Sequence, residues 1–490
     1  MVFSSIVFIF IFLPFVLTVF YALWKKLRFP FLLLCSLFFY FFGETYLIWI
    51  MLLSTMIDYF AGLLIANGLN GKPINKLPHI GERTNTQKLW LVVSIVSNLS
   101  LLGYFKYFNF FTENLIQLFD IMQVSHLRLD NLVKVGLPLG ISFYTFQSMS
   151  YTIDVYRGEV HANRNLIEFA TFVTMFPQLV AGPIVRYSDV ETQFAHHQPG
   201  LRKLAEGVER FVLGLAKKVV IANTMGQLAD QVFALNNNQL STGLAWIGIL
   251  AYALQIYFDF SGYSCMAIGL GKMFGFDFPE NFNYPYFAKT IQDFWRRWHI
   301  TLSNWFRDYL YIPLGGNQLS RIKTFRNLFI VFLLCGLWHG ASWNFVIWGL
   351  FHGAFLSIER LGLSRLLKRL PAFVSHIYVI VVVLVSWVFF RSETLTESIG
   401  YLNVMFFYKP VDIVTAGEFV STFTLIIFVA AIIFSFPIFP YLNRILISVS
   451  NNLINRFLNL FYFLTLLFIL YFSTVLLVSG SYNPFIYFRF

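Results

Sequence analysis

Two short stretches, Asp293-Phe294-Trp295-Arg296-Arg297-Trp298-His299 and Leu337-Trp338-His339-Gly340-Ala341-Ser342-Trp343-Asn344, flank an apolar run inside the longer segment from Asp277 to His352. The run Phe325–Trp338 has the character of a membrane helix, and His339 stands at its end. Hydrocarbon offers an imidazole no hydrogen-bond partner, so a histidine there must find one within the protein. This stretch decides the environment of the fold: the chain is built for a bilayer, with a polar group held inside it.

Composition agrees. Of 490 residues, 58% are hydrophobic and 20% aromatic, while only 12% carry charge, against about 25% in a soluble domain. The fold class is therefore all-α, a polytopic membrane protein. With about 20 apolar residues per crossing, the runs give about 11-12 transmembrane helices plus re-entrant and interfacial helices, all in a single membrane domain over residues 1–490. Val2–Trp24 is longer than a signal-peptide core and no small-residue cleavage site follows it, so it is expected to span. The net charge of +11 sits in short loops, where Lys and Arg report topology through the positive-inside rule and not nucleic-acid binding. Cys35, Cys265 and Cys335 lie apart in apolar segments, without metal-site spacing, and read as packing residues.

The charges order the spans. Lys25, Lys26 and Arg28 form a cytoplasmic loop after the first span. Phe29–Phe42 and Tyr46–Ala66 make an outward hairpin, and a basic loop at Asn67–Lys88 follows. Leu89–Phe111 crosses outward to an external loop at Thr112–Asn131, and Val133–Val155 returns. Leu166–Val185 carries Pro177, Gly182 and Pro183, and proline breaks helices, so a re-entrant element is expected. Arg202–Leu235 starts as an interfacial helix. Later spans are Leu244–Phe274, Phe325–Trp338, Trp343–Ile358, Phe373–Phe390, Val414–Phe436 and Phe457–Val478. Asp58 and Asp154 are expected to be structural, and Lys106 to snorkel towards the interface.

Read as one amphipathic helix, Ile291–Tyr311 places Ile291, Phe294, Trp295, Trp298, Leu302, Trp305 and Tyr309 on one face. Gln292, Arg296, His299, Ser303 and Arg307 fall on the other. Two readings stay open: a membrane-surface anchor with its tryptophans at headgroup level, or a face whose Arg296, Arg297 and Arg307, beside Trp298, meet the phosphates of an anionic donor. For His339, a packing role and a catalytic role are likewise both open. Gly340 permits close approach, and Trp338, Trp343 and Asn344 offer a walled polar pocket. A neutral imidazole, with an ordinary pKa of about 6.5, can take a hydroxyl proton near neutrality. His352 could join His339 as a metal ligand, but no Cys, Asp or Glu nearby completes a set, so no metal is expected. Asp259 needs a cationic partner, with Arg296 or Arg297 the nearest by topology, and is expected to be a structural counter-ion. No Gly-x-Ser-x-Gly elbow occurs.

Several stretches together resemble the membrane-bound O-acyltransferase (MBOAT) family, in particular its bacterial polysaccharide-acetylating branch and, more distantly, the D-alanyl transferases. They are Leu102–Phe110, Gly140–Gln147, Pro177–Ile184, Asp259–Ser264, Phe294–Asn317, Leu337–Asn344 and Pro484–Phe490. The resemblance implies an MBOAT fold in which His339 matches the essential histidine and His299 a second histidine of less settled role. It further implies no bound cofactor, with acetyl-CoA as acyl-donor substrate, and an acetyl group passed across the membrane for O-acetylation of an exopolysaccharide or peptidoglycan. The acceptor would be a periplasmic protein of the SGNH type or of the AlgJ/AlgX kind, since the chain lacks a soluble domain to modify a polymer. Two alternatives remain at this level: a non-catalytic acyl conduit or scaffold, and transfer of another acyl group such as D-alanyl.

Overall fold

The computed structural model describes residues 2–66, 76–79, 81–123, 134–180, 182–236, 239–410, 416–438, 452–480, 482–484 and 486. Among them every regular element is a helix. Seven helices are long and apolar enough to cross a membrane: Ile48–Ile65, Asn85–Ile121, Thr242–Met273, Arg321–His339, Trp343–Leu367, Ala372–Arg391 and Arg456–Ser479. Shorter apolar helices occur at Phe8–Ala22 and Thr422–Phe434. Two units are distinguishable, one of Met1–Phe3, Val7–Gly207 and Leu270–Pro279, the other of Ser4–Ile6, Val208–Gly269 and Glu280–Phe490.

The first unit contains α1 (Leu13–Ala22), α2 (Lys25–Phe41), α3 (Ile48–Ile65), α4 (Asn85–Ile121), α5 (Ile141–Arg157), α6 (Leu166–Thr174), α7 (Phe176–Leu179) and α8 (Tyr187–Ala195). Lys25, Lys26 and Arg28 are not a loop but the first turn of α2, which continues through Pro30 in its second turn. A capping box between Thr84 and Gln87 starts α4. The helix then runs to Ile121, absorbing the first ten residues of the expected external loop. Residues 124–131 of that loop, and residues 67–75 and 80 of the basic loop after α3, lie outside the described residues.

Residues 134–140 stay non-helical until Gly140, whose φ of 72° only glycine adopts cheaply, opens α5. The proline-bearing segment breaks at Met175 into two buried helices, α6 and α7. Asp58 is structural, as expected: it accepts from Ser94 Oγ at 2.6 Å and from Asn98 Nδ2 at 2.8 and 2.9 Å. Lys106 does not snorkel, since it is buried and donates to Ser142 Oγ at 3.2 Å.

The second unit carries the stretches quoted at the outset. Its helices are α9 (Leu201–Ala216), which passes through a π-helical turn at Lys217–Ala222 into α10 (Asn223–Phe233), then α11 (Thr242–Met273), α12 (Ile291–Arg297) and α13 (Ile300–Phe306). They are followed by α14 (Arg321–His339), α15 (Trp343–Ile358), α16 (Ser364–Leu367), α17 (Ala372–Arg391), α18 (Leu395–Phe406), α19 (Thr422–Phe434) and α20 (Asn452–Ser479). The unit boundaries fall inside α9 and near the end of α11.

Within this unit α14 and α15 form a hairpin whose backbones nearly touch. A Cβ built on Gly336 would lie 2.2 Å from the Phe345 carbonyl oxygen, and one on Gly349 would lie 2.2 Å from the Phe332 carbonyl oxygen. Small residues are what allow membrane helices to pack this closely, because association there depends on contact and not on hydrophobic expulsion. Gly336 is less than one turn before His339, so this crossing also sets where the histidine sits.

Replacing Gly349 by Ala is expected to cost about 1–3 kcal/mol through overpacking against a carbonyl that cannot yield. The control is Gly353→Ala, where the nearest atom would be 3.4 Å away at ordinary contact. Thermal unfolding of the two detergent-solubilised variants checks this: Gly349→Ala should melt well below wild type and Gly353→Ala close to it.

Candidate active site

His339 is the last residue of α14 and only 4% exposed. Three aromatic rings stand nearly edge-on to its imidazole: Trp338 at 5.0 Å, Trp348 of α15 at 5.0 Å and Phe390 of α17 at 5.2 Å between centroids. The wall expected from Trp338 is present. Trp343, however, is 54% exposed and does not contribute. It begins α15 on the outer side of the turn, and Trp348, a turn and a half later, takes its place. Gly340 is filled by protein, since a Cβ there would meet the Phe345 ring at 2.1 Å. Asn344 ties the start of α15 to the end of α17 by donating from Nδ2 to the Ser392 carbonyl at 2.6 Å. Its Oδ1 is buried with no hydrogen-bond partner among the described residues.

The single amphipathic helix expected over Ile291–Tyr311 is broken. Trp298 is extended and His299 takes a left-handed conformation, φ 44° and ψ 55°, which ends α12 and begins α13. Three anchors hold the break. Glu359, buried after α15, accepts from the Ile291 and Gln292 amides and so caps the positive end of α12. The Asn283 amide donates to the Arg297 carbonyl at 2.9 Å, and the Ile300 amide to the Asn281 carbonyl at 2.9 Å.

The consequence for His299 is a correction: it does not lie on a polar face but is fully buried. Its Nδ1 meets Asn281 Oδ1 at 3.1 Å, and its ring is edge-on to Phe260 at 4.6 Å and to Trp338 at 5.9 Å. Burial pushes the imidazole down to about 3, which keeps it neutral. Trp338 therefore touches both histidine rings.

Trp298 is likewise not at headgroup level. It is 3% exposed, stacked on Phe294 at 5.6 Å and against Trp387 at 5.0 Å. Trp295 is buried too and donates from Nε1 to His352 Nδ1 at 3.3 Å. His352 is thereby engaged in packing, on the same face of Trp348's helix one turn further on. Of the three arginines, Arg297 is paired with Asp293 at 2.9 Å and Arg307 with its neighbour Asp308 at 2.6 Å. Arg296 is exposed and has no ion pair among the described residues.

Asp259 has a partner other than the one expected. Lys218 Nζ lies 2.7 Å from Asp259 Oδ1, both side chains being 3% exposed, and the Ile486 amide donates to Oδ2 at 3.0 Å. The reason is another close crossing: a Cβ on Gly214 would lie 2.7 Å from the Gly262 carbonyl oxygen, which brings the π-helical turn bearing Lys218 onto α11. Asp259 is held by Lys218 and the Ile486 amide. Its neighbour Phe260 faces His299. Sequence reasoning missed Asn281, Trp348, Glu359 and Phe390. Only the run of polar residues at Glu280-Asn281 within an aromatic stretch signalled the first of these.

Two buried histidines pack against one tryptophan in a unit whose helices include several long and apolar enough to cross a membrane. The family model described as "MBOAT, membrane-bound O-acyltransferase family" matches residues 37–394, and the chain belongs to that family. It is an O-acyltransferase. The "Probable alginate O-acetylase AlgI" of Pseudomonas aeruginosa is 46% identical over 83% of this chain and 75% of its own length. The "Peptidoglycan O-acetyltransferase" of Helicobacter pylori is 38% identical over 83% of this chain and 80% of its own. The "Teichoic acid D-alanyltransferase" of Bacillus subtilis is 29% identical over 45% of this chain and 58% of its own.

Breaking the Lys218–Asp259 pair leaves a buried charge alone, which typically costs about 3–5 kcal/mol. Lys218→Met is accordingly expected to lower the yield of folded protein sharply. The double variant Lys218→Met/Asp259→Leu should recover part of that loss, as measured by fluorescence-detected size exclusion.

Proposed function

We propose that this chain moves an acetyl group from cytoplasmic acetyl-CoA to an acceptor hydroxyl on the far side of a bacterial inner membrane, with His339 as the general base. The observation that carries this reading is the setting of His339, closed in by Trp338, Trp348 and Phe390 at the end of a membrane helix. The imidazole takes the hydroxyl proton as the oxygen attacks the thioester carbonyl. The new C–O bond forms, the C–S bond breaks, and the imidazolium returns its proton to the departing thiolate. The products are an O-acetyl ester and the free thiol. An aromatic enclosure suits this chemistry, because it keeps water from competing for the thioester and strengthens the electrostatics of the proton transfer.

Relatives that match most of the chain are named for acetylating alginate and peptidoglycan, and a secreted polymer of either kind fits a multi-pass membrane enzyme. The polymer itself is then modified by a periplasmic acceptor protein of the SGNH or AlgJ/AlgX kind, which receives the acetyl group. D-alanyl transfer is the second reading, supported by the teichoic acid relative over 45% of the chain. Arg296, exposed on α12 and outside any ion pair, is the arginine available to the donor's phosphates. Arg297 and Arg307 would first have to release Asp293 and Asp308.

His339→Ala is expected to reduce acetyl transfer by about 10²–10⁴-fold. The acetyl-ester content of exopolysaccharide and peptidoglycan, in cells expressing equal amounts of inserted protein, checks this. Wild-type ester levels with the variant would favour a conduit without chemistry, and D-alanyl ester in place of acetyl would favour the second reading. Arg296→Gln is expected to raise the apparent acetyl-CoA requirement more than Arg297→Gln does, at unchanged protein yield, in a titration of membranes with labelled donor.

A further inference from the structure

The loop before α12 contains an asparagine whose side chain is entirely enclosed. Asn281 is 1% exposed, and its Oδ1 sits at the meeting point of three groups: His299 Nδ1 at 3.1 Å, Thr301 Oγ1 at 2.9 Å and the Thr301 backbone amide at 3.3 Å. A hydroxyl or an imidazole nitrogen can either donate or accept, but a backbone N–H can only donate. The Thr301 amide therefore fixes which end of the Asn281 carboxamide points this way: the atom must be the oxygen. An amide oxygen can only accept, so the His299 nitrogen facing it must carry the proton. Burial keeps the ring neutral, with its pKa pushed down to about 3, and a neutral imidazole has one proton between its two nitrogens. Nε2, on the other edge of the ring, is then bare. That atom is also buried and has no hydrogen-bond partner among the described residues.

We propose that Asn281 is a positioning residue that fixes His299 as the Nδ1–H tautomer, so that Nε2 is presented to the reacting groups as a hydrogen-bond acceptor. This rests on the proposed function, and it places His299, whose ring packs on the same Trp338 as His339, at the transfer site. It assigns His299 a specific part in that site. The second histidine offers a lone pair, receiving a hydrogen bond from a hydroxyl, thiol or protonated imidazole, and does not serve as a donor to a developing oxyanion. The backbone supports the same geometry, because the Ile300 amide donates to the Asn281 carbonyl and the left-handed turn at His299 aims the ring inward. Asn281 thus holds both the main chain and the ring of the residue it positions, as outer partners of catalytic and metal-bound histidines do.

The test reads the tautomer directly. Protein labelled with ¹⁵N-histidine is purified in lipid nanodiscs, and the His299 resonances are assigned by their loss in His299→Gln. The expected spectrum shows Nδ1 protonated and Nε2 unprotonated. The opposite assignment in wild type overturns the proposal, and it does so even if no Asn281 variant folds. In the kinetic arm, Asn281→Leu is expected to lower the maximal rate of acetyl transfer about 10–100-fold with the donor KM little changed, and to mix the two tautomers. Asn281→Asp keeps an acceptor oxygen and should restore the tautomer and most of the rate. A folded Asn281→Leu protein with the wild-type tautomer and rate contradicts the proposal. The two readings fail separately: the expected tautomer in a protein without transferase activity would leave the role of Asn281 in place and remove the proposed function.

Discussion

The near-contact of two helix backbones at Gly336 and Gly349 is the constraint from which the site follows. With no side chains between them, α14 and α15 pack against each other's carbonyl oxygens, and the end of α14 is brought under Trp348 and beside α17. His339 is enclosed because its own helix cannot move away. A second crossing of the same kind, Gly214 on Gly262, sets the Lys218–Asp259 pair and the face of α11 that presents Phe260 to His299. In a bilayer, where expulsion of apolar surface from water gives no drive between helices, such close approach is a main source of specificity.

Between these crossings lies the broken segment α12–α13, which is polar where it should be costly and is satisfied nearly everywhere. Glu359 supplies acceptors to the start of α12, Asn281 and Asn283 bridge its end to the start of α13, and Trp295 donates to His352. The segment is therefore not a helix lying on a surface but a folded insertion whose kink delivers a histidine. Buried polar atoms without a hydrogen-bond partner among the described residues include His299 Nε2, Asn281 Nδ2, Asn344 Oδ1, Trp348 Nε1 and His352 Nε2. Such atoms are rare in native proteins and call for an explanation; for His299 Nε2, a substrate bound under the proposed function would supply one.

Much of this was legible in the sequence, and what was not has identifiable causes. Apolar runs located the long helices, because hydropathy is a property of local composition. The ends were misplaced where caps decide them, as at Thr84, Gly140 and the first turn of α2. His339 stood out because a polar residue terminating a membrane run is costly, and its family context gave it a role. His299 was placed on the wrong face because periodicity assumes an unbroken helix, and the left-handed turn that breaks it is imposed by Asn281 and Glu359, which lie 18 residues before and 60 after it. Asp259 was paired with the wrong cation, since the glycine crossing that brings Lys218 to it is a tertiary fact. Trp343 and Trp348 were indistinguishable by composition, and only the turn at residues 340–342 separates the exposed ring from the buried one.

The proposed chemistry makes this chain itself the catalyst of acyl transfer at His339, and not merely a passage for an acyl carrier. A direct measurement is transfer from ¹⁴C-acetyl-CoA by the purified chain in nanodiscs supplied with an SGNH-type acceptor protein, comparing wild type with His339→Gln at equal amounts of folded protein. Release of free CoA and labelled acceptor are expected from wild type, and their near-complete loss in the variant. Equal turnover by both proteins, or none by a folded wild type that still restores polymer acetylation in cells, would contradict the proposed chemistry.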